Sequence, residues 1–469
     1  MRPGGAGLAA AVALAVAATA AVPARAAEHA EHAAPTDHAA HAEQQDARAA
    51  DEAARAALEL LTPPEPAQMP YAVPRQSMIP GTPGMAGGYH LMVNGFGFLS
   101  NQGLGGYTIT NPGVATGFDG GATRAQLQSD WVMGYARDDR GRFEAMVMLD
   151  FEPLTVGPGG IPELGQAGEG LWDAQHSHLL VHQAMVAVHP FAWFDFGRAT
   201  MMTEPLWDLS LFAGQGSATI GPPVFMHRAS SPGPTVPRKH HKGENPHETS
   251  PVIGAALRYD VTTFEASIFG AEELGPDDSR FYPHPAAPTS FAARVRHVFA
   301  RSLELQISGE RLTAHEGAGT PDVWQASASA YFWKTLRGLR VDALLDWGLD
   351  RPTTGPSAQA ALAELAVRSA DRRAVGWMRS EINQRVEPPG APVLVSSPWL
   401  FETVGFEYFG WGGRGSGIQL GIFAEATYAH IPEALAPTYG RSQAVSMNVG
   451  LHLFGMWMLD GRSLRRMYH

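Results

Sequence analysis

The chain has 469 residues, a formal net charge of -12 at pH 7 and no cysteine. The missing thiols exclude disulfides, thiolate metal ligands and a cysteine nucleophile, and the negative charge argues against nucleic acid as a partner. The length accommodates two or three soluble domains or one large β-barrel.

Residues 1–26 read as a secretory signal peptide. Arg2 supplies a small positive start, "LAAAVALAVAATAAV" (8–22) an apolar core, and Ala24, Arg25 and Ala26 an A-x-A cleavage site. The apolar run is too short to span a membrane as a helix. Cleavage removes Arg2 and Arg25 and takes the formal charge from -12 to -14.

Residues 27–87 predict a flexible periplasmic arm and linker. "EHAEHAAPTDHAAHAEQQ" has little that could form a core, "DARAADEAARAALELL" reads as a short amphipathic helix, and a Pro/Gly-rich run follows. His29, His32, His38 and His41 suit either loose cation capture or a pH-sensitive solubilising tail.

From residue 88 the pattern turns to period two, the mark of a half-buried strand. In "LRVDALLDWGL" (339–349), Leu339, Val341, Ala343, Leu345 and Trp347 share one face and Arg340, Asp342 and Asp346 the other. The segments 302–310 and 417–428 repeat the arrangement, with an almost purely apolar row against a charged one. Short links at 138–141, 189–192, 259–262, 299–302, 334–338, 369–373 and 410–416 alternate with longer ones. The longer links fall at about 100–121, 153–177, 204–250, 271–289, 312–322, 350–358, 387–397 and 431–442. Tight periplasmic turns alternating with long outer loops characterise transmembrane barrels. A soluble β-sandwich would alternate too, but would not sort its loops by length.

The prediction is therefore all-β: an antiparallel transmembrane β-barrel over residues 88–457, in the bacterial outer membrane. About sixteen strands are expected (fourteen to eighteen), with a tail at 458–469. Its lumen is expected to carry both signs. Arg258, Arg294, Arg296, Arg340 and Arg379 would face inward with Glu265, Glu304, Glu310, Asp342, Asp346, Glu381 and Glu425.

Histidines gather in the long loops. "WDAQHSHLL" (172–180) carries His176 and His178, and the 204–250 link carries His227, His240, His241 and His247. Three or four imidazoles would hold Zn²⁺ or Cu²⁺, with Asp173 and Glu244 placed to orient the rings. The same rings would also serve to clasp loop backbones, and both readings stand at this point. Walker, Rossmann, G-x-S-x-G and H-E-x-x-H patterns are absent from the sequence.

The motifs "DAQHSHL" (173–179), "GPPVFMHR" (221–228), "HHKGENPH" (240–247) and "SIFGAEE" (267–273) occur in that order. In them the chain resembles a set of largely uncharacterised bacterial outer-membrane barrels with Asp-x-Gln-His-Pro-His-Asp, Gly-Pro-Pro-x-Phe-Met-His-Arg and His-His boxes. Ser177 and Leu179 depart from the first box. The resemblance implies an outer-membrane barrel and no particular reaction. The expected role is binding or passage of a small solute or metal ion, with membrane lipid as the surrounding partner. The alternative is an envelope hydrolase whose His176, His178 and His241 hold a water-activating zinc.

Overall fold

The computed structural model describes residues 88–102, 107–109, 118–120, 123–137, 142–151, 162–163, 166–170, 180–193, 207–221 and 250–271. It also describes 287–299, 302–313, 321–371, 373–386, 393–411, 418–433 and 442–458. The expected signal peptide, arm and tail lie outside these residues.

The strands in chain order are β1 (Gly88–Gln102), β2 (Tyr107–Ile109), β3 (Phe118–Gly120), β4 (Thr123–Arg137) and β5 (Phe143–Leu149). Next come β6 (Pro162–Glu163), β7 (Gln166–Gly170), β8 (Val181–Val188), the single-turn helix α1 (Pro190–Trp193), β9 (Trp207–Gly216) and β10 (Ser250–Tyr259). Then follow β11 (Thr262–Phe269), β12 (Ser290–Phe299), β13 (Leu303–Leu312), β14 (Val323–Leu336) and β15 (Leu339–Pro352). The chain ends with β16 (Ala358–Arg368), β17 (Ala374–Val386), β18 (Val393–Trp411), β19 (Ile418–His430) and β20 (Gln443–Met458).

Sixteen of these strands form one closed antiparallel barrel, each paired with its neighbour in sequence order. The pairs β2–β3 and β6–β7 are separate two-stranded sheets inside long links. β1 and β20 pair from His90 opposite Met458 to Gln102 opposite Ser446, which closes the wall and leaves no free edge.

The alternation that predicted strands also fixes their faces. Large apolar residues point outward and exposed, with Ile307 at 64% and Leu345 at 61%. Charged residues on the same strands point inward and are buried, as Glu304 on β13 and Asp346 on β15. This is the reverse of a soluble protein and the requirement for a barrel whose outside meets lipid. Aromatic residues collect at both rims. At the turn end Phe143 packs edge-on against Trp193 (5.3 Å) and Trp207 against Tyr259 (4.3 Å). At the loop end Phe291 meets Trp324 at 5.7 Å. Paired aromatic girdles mark the two water interfaces of such barrels.

Turns and breaks follow local chemistry. β14 and β15 join through Arg337 and Gly338, both at positive φ (51° and 82°), the conformation that suits the twist of a two-residue hairpin. Pro398, which has no N–H to donate, sits where the β17–β18 register breaks between Asn383 and Arg385.

Two expectations need correction. The 204–250 link was expected to be loop throughout, yet Trp207–Gly216 is a wall strand. Its "WDLSLF" start buries Asp208, Ser210 and Phe212 inward and leaves Leu211 exposed, so period two holds there as well. Second, the link at 189–192 is not a tight turn. α1 occupies it, and the next described strand is β9, which starts at Trp207 and pairs with β8.

Candidate functional site

The inner wall is the site that this fold builds. After β9 the chain turns inward instead of out, and residues 217–221 lie as a buried strap across the wall. At its root Gln183 Nε2 donates to Ser217 Oγ (3.2 Å). In its middle the Thr219 backbone N–H donates to Ser267 Oγ (3.2 Å), and the two hydroxyls lie 3.0 Å apart. At its end the Gly221 N–H donates to Ser308 Oγ (3.0 Å), while Arg294 Nη1 donates to the Gly221 carbonyl (2.9 Å). Ala218 and Ile220 complete the attachment by packing with Phe212, Val252, Phe269, Ala292 and Leu312. Serines spaced along β11 and β13 thus replace the ladder partners that an irregular backbone lacks.

Arg294 does two jobs. Its Nε and Nη2 also donate to Glu265 (2.7 and 2.9 Å), a two-pronged pairing with the residue directly opposite on β11. Arg296, two residues on and so on the same face, donates from Nε to Glu265 Oε2 at 3.0 Å and reaches Glu304 at 3.6 Å. Glu265 therefore anchors both guanidinium groups that hold the strap side of the wall.

Charged groups continue around the barrel. Asp342 on β15 accepts from Tyr331 OH (2.6 Å), Arg340 Nε (3.1 Å) and Arg368 Nη1 (2.6 Å). Arg379 on β17 donates to Glu381 (2.9 Å) and lies 3.8 Å from Glu364. Ser327 donates to Asp346 at 3.3 Å, and Asn448 to Glu425 at 2.8 Å. Glu310 is buried on β13, facing inward at the register of Gln325. His452 pairs with Glu407 and stacks on Phe96 with ring centroids 4.1 Å apart.

At the turn end His189 sits between two carboxylates, with Nδ1 3.1 Å from Asp208 and Nε2 3.2 Å from Glu144. Arg258 approaches Asp208 from the far side at 3.6 Å. Burial alone would lower the His189 pKa, but Asp208 and Glu144 outweigh it and raise it to about 9. The ring is an imidazolium at neutral pH, clasping β5, β9 and its own strand end.

All twelve residues expected in the lumen thus lie on the inner face, with Arg258, Arg296, Glu304, Arg340 and Asp342 among those toward the turn end. The period-two reading had not singled out His189, Asp208, Glu144, Glu364, Glu407, His452 or the strap. The wall is acidic: among the described residues, thirteen buried carboxylates face four buried arginines, the half-buried Arg340 and Arg368 and the His189 imidazolium. It is also well covered. Side chains as large as Trp399, Arg379 and Phe401 are almost wholly buried, so the lumen is not a bare water-filled tube.

His176, His178, His227, His240, His241, His247, Asp173 and Glu244 lie outside the described residues. Among those that are described, no group of three or more His, Asp or Glu is arranged to hold a metal ion.

No protein-family model and no curated protein matches the sequence. Solved structures do resemble the fold. The chain is similar to an anion-selective porin from Comamonas acidovorans, at 8% identity and a TM-score of 0.42 over 78% of this chain and 98% of that one. It is similar to OprB of Pseudomonas putida at 9% identity and a TM-score of 0.46, covering 79% and 94%. The outer-membrane channel DcaP of Acinetobacter baumannii matches at 11% identity and 0.41, covering 79% and 96%. The membrane assignment rests on the barrel itself, with apolar residues outside, polar residues inside and aromatic rims. The chain is an outer-membrane β-barrel.

Proposed function

We propose that this barrel is a narrow outer-membrane channel that admits small solutes and favours cations. The observation that carries the reading is the surplus of inward carboxylates over guanidinium groups. A low-dielectric wall with fixed charge of one sign concentrates ions of the other sign and repels its own. The covered wall supports a conductance below that of an unobstructed sixteen-strand tube. Purified protein in a planar bilayer with a KCl gradient tests this. A reversal potential of the sign set by K⁺ is the expected result; one set by Cl⁻ overturns the cation preference.

The loop histidines belong to the same proposal as a capture site for Zn²⁺ or Cu²⁺ at the outer mouth. His176→Ala with His178→Ala is expected to lower retained metal while leaving heat-modifiable gel migration unchanged. Unchanged metal content would reduce those rings to a loop clasp.

A further inference from the structure

Methionine is unevenly placed on this wall. Met133 on β4, Met146 and Met148 on β5, and Met185 on β8 all face inward and are almost completely buried. The register sets Met133 opposite Met148 and Met146 opposite Met185, with Met146 and Met148 two apart on one face. Directly opposite side chains on one face of a sheet have Cβ atoms about 4.5–5.5 Å apart. A thioether on three rotatable bonds spans that gap, so each opposed pair can share one ion, and Met146 and Met148, two apart on one face, bring the two pairs side by side. The outward residues of β5 and β8 include Phe143, Val147 and Val186, with no methionine among the described ones.

A second observation points to a ligand. Gln183 is fully buried and is the register partner of Met148 on β8. Its Nε2 holds Ser217 at the strap root, but its Oε1 has no hydrogen-bond partner. A buried amide oxygen left unpaired is destabilising unless a donor or an ion takes up its lone pair. On the β5 side the methionines are flanked on the same face by Glu144, which His189 engages, and by Asp150 just beyond the strand. Apolar packing alone explains four well-buried side chains, but it does not account for the Gln183 oxygen, which has no hydrogen-bond partner among the described residues.

We infer that Met133, Met146, Met148 and Met185, with Gln183 Oε1, form a binding site for a soft monovalent cation of the Cu(I) or Ag(I) class. Neutral thioethers favour such ions over Zn²⁺ or Mg²⁺, and an amide oxygen completes a sulfur-rich set without adding charge. The site differs in residues and in ligand softness from the loop histidines. It does not depend on the barrel conducting. Access is through side-chain rotation beneath the strap root, which hangs on Gln183 by one bond of 3.2 Å.

The test uses the full chain folded in detergent, with Ag(I) as probe and Cu(I) under anaerobic conditions as a second probe. Wild type is compared with Met133→Leu/Met148→Leu, with Met146→Leu/Met185→Leu and with the four changes together. Leucine keeps volume and apolarity while removing sulfur. Heat-modifiable migration reports folding of each variant. Wild type is expected to retain one Ag(I) equivalent more than the fourfold variant, and each double variant to bind that equivalent at least about tenfold more weakly. Gln183→Leu should weaken it less, and Zn²⁺ uptake should be equal throughout. If the fourfold variant does not fold, the two double variants decide. Ag(I) stoichiometry and affinity equal to wild type in every folded variant overturn the site.

Discussion

The inner wall presents two unlike surfaces. From β4 to β12 it is lined with methionine, alanine and single aromatic rings, overlaid by the strap at 217–221, and its charges nearly balance, with Glu144, Asp150, Asp208 and Glu265 against Arg258, Arg294 and Arg296. From β13 to β20 it carries Glu304, Glu310, Asp342, Asp346, Glu364, Arg379, Glu381, Glu407 and Glu425 between buried tryptophans. The outer face shows no such division, because lipid asks the same of every strand. Inward positions meet no common solvent and are free to specialise, one half to seat a strap among paired charges and the other to carry a surplus of carboxylates.

Outward and inward neighbours on one strand offer the strongest test of this view. Leu345→Arg places a charge in lipid near the middle of β15 and is expected to cost about 2–4 kcal/mol of folding free energy in liposomes. The inward neighbour Asp346→Asn should cost clearly less. Equal costs by urea titration would break the inside–outside assignment.

The two turn-end rims differ in how they titrate. On the strap half the clasp is His189, with its pKa raised to about 9; on the other half Asp342 is held by the guanidinium groups of Arg340 and Arg368. A group whose folded pKa is raised stabilises fully below its unfolded value and loses that contribution as pH rises through the folded value. The His189 contribution should be complete below pH of about 6.5 and gone above about 9, a change on the order of 3 kcal/mol. Urea midpoints of wild type should fall across that window, and those of His189→Gln should fall clearly less. A matching fall in the variant would assign the titration elsewhere.

Strap attachment separates the halves further. Arg294→Gln removes charge-assisted bonds to Glu265 and to the Gly221 carbonyl while leaving Arg296 on Glu265, so a loss of roughly 1.5–3 kcal/mol is expected. It should also add current noise in single-channel recordings. Quiet recordings with that loss would mean the strap is held by Ala218 and Ile220 alone.

Both halves lay an aromatic ring over a cross-strand glycine, and here the expected difference is smallest. A Cβ on Gly254 would fall 2.3 Å from Phe212 Cζ and 2.5 Å from the Ala266 carbonyl oxygen, which is backbone. One on Gly405 would have the Trp377 ring as its nearest neighbour, with three ring atoms at 2.0–2.7 Å. Overpacking costs about 1–3 kcal/mol. Gly254→Ala is expected at the upper end and Gly405→Ala at the lower, since a ring moves more easily than a strand. Thermal denaturation of the two variants gives the order.

Much of this architecture was legible in the sequence. Leu339 to Trp347 against Arg340, Asp342 and Asp346 defines both faces of β15, and the lipid requirement makes that pattern hard to miss. β9 was hidden because its clear alternation lasts only from Trp207 to Phe212, inside a long Pro/Gly-rich link. The strap left no periodic trace at all. Its five residues, "SATIG", gain their place from Ser267, Arg294 and Ser308, tens of residues away in the chain. His189 looked like part of a turn, and only the fold brings Asp208 and Glu144 to its ring. The loop histidines at 176, 178, 227, 240, 241 and 247 lie outside the described residues.

The central claim is that the inward carboxylates set ion preference. The most direct measurement is the reversal potential, under one KCl gradient, of wild type beside Glu310→Gln/Asp346→Asn/Asp350→Asn, three changes on the acidic half. The account predicts a K⁺-favouring potential in wild type that moves toward zero in the variant, with both proteins folded by gel migration. A potential that favours Cl⁻ in wild type, or one that the three neutralisations leave unmoved, would contradict it.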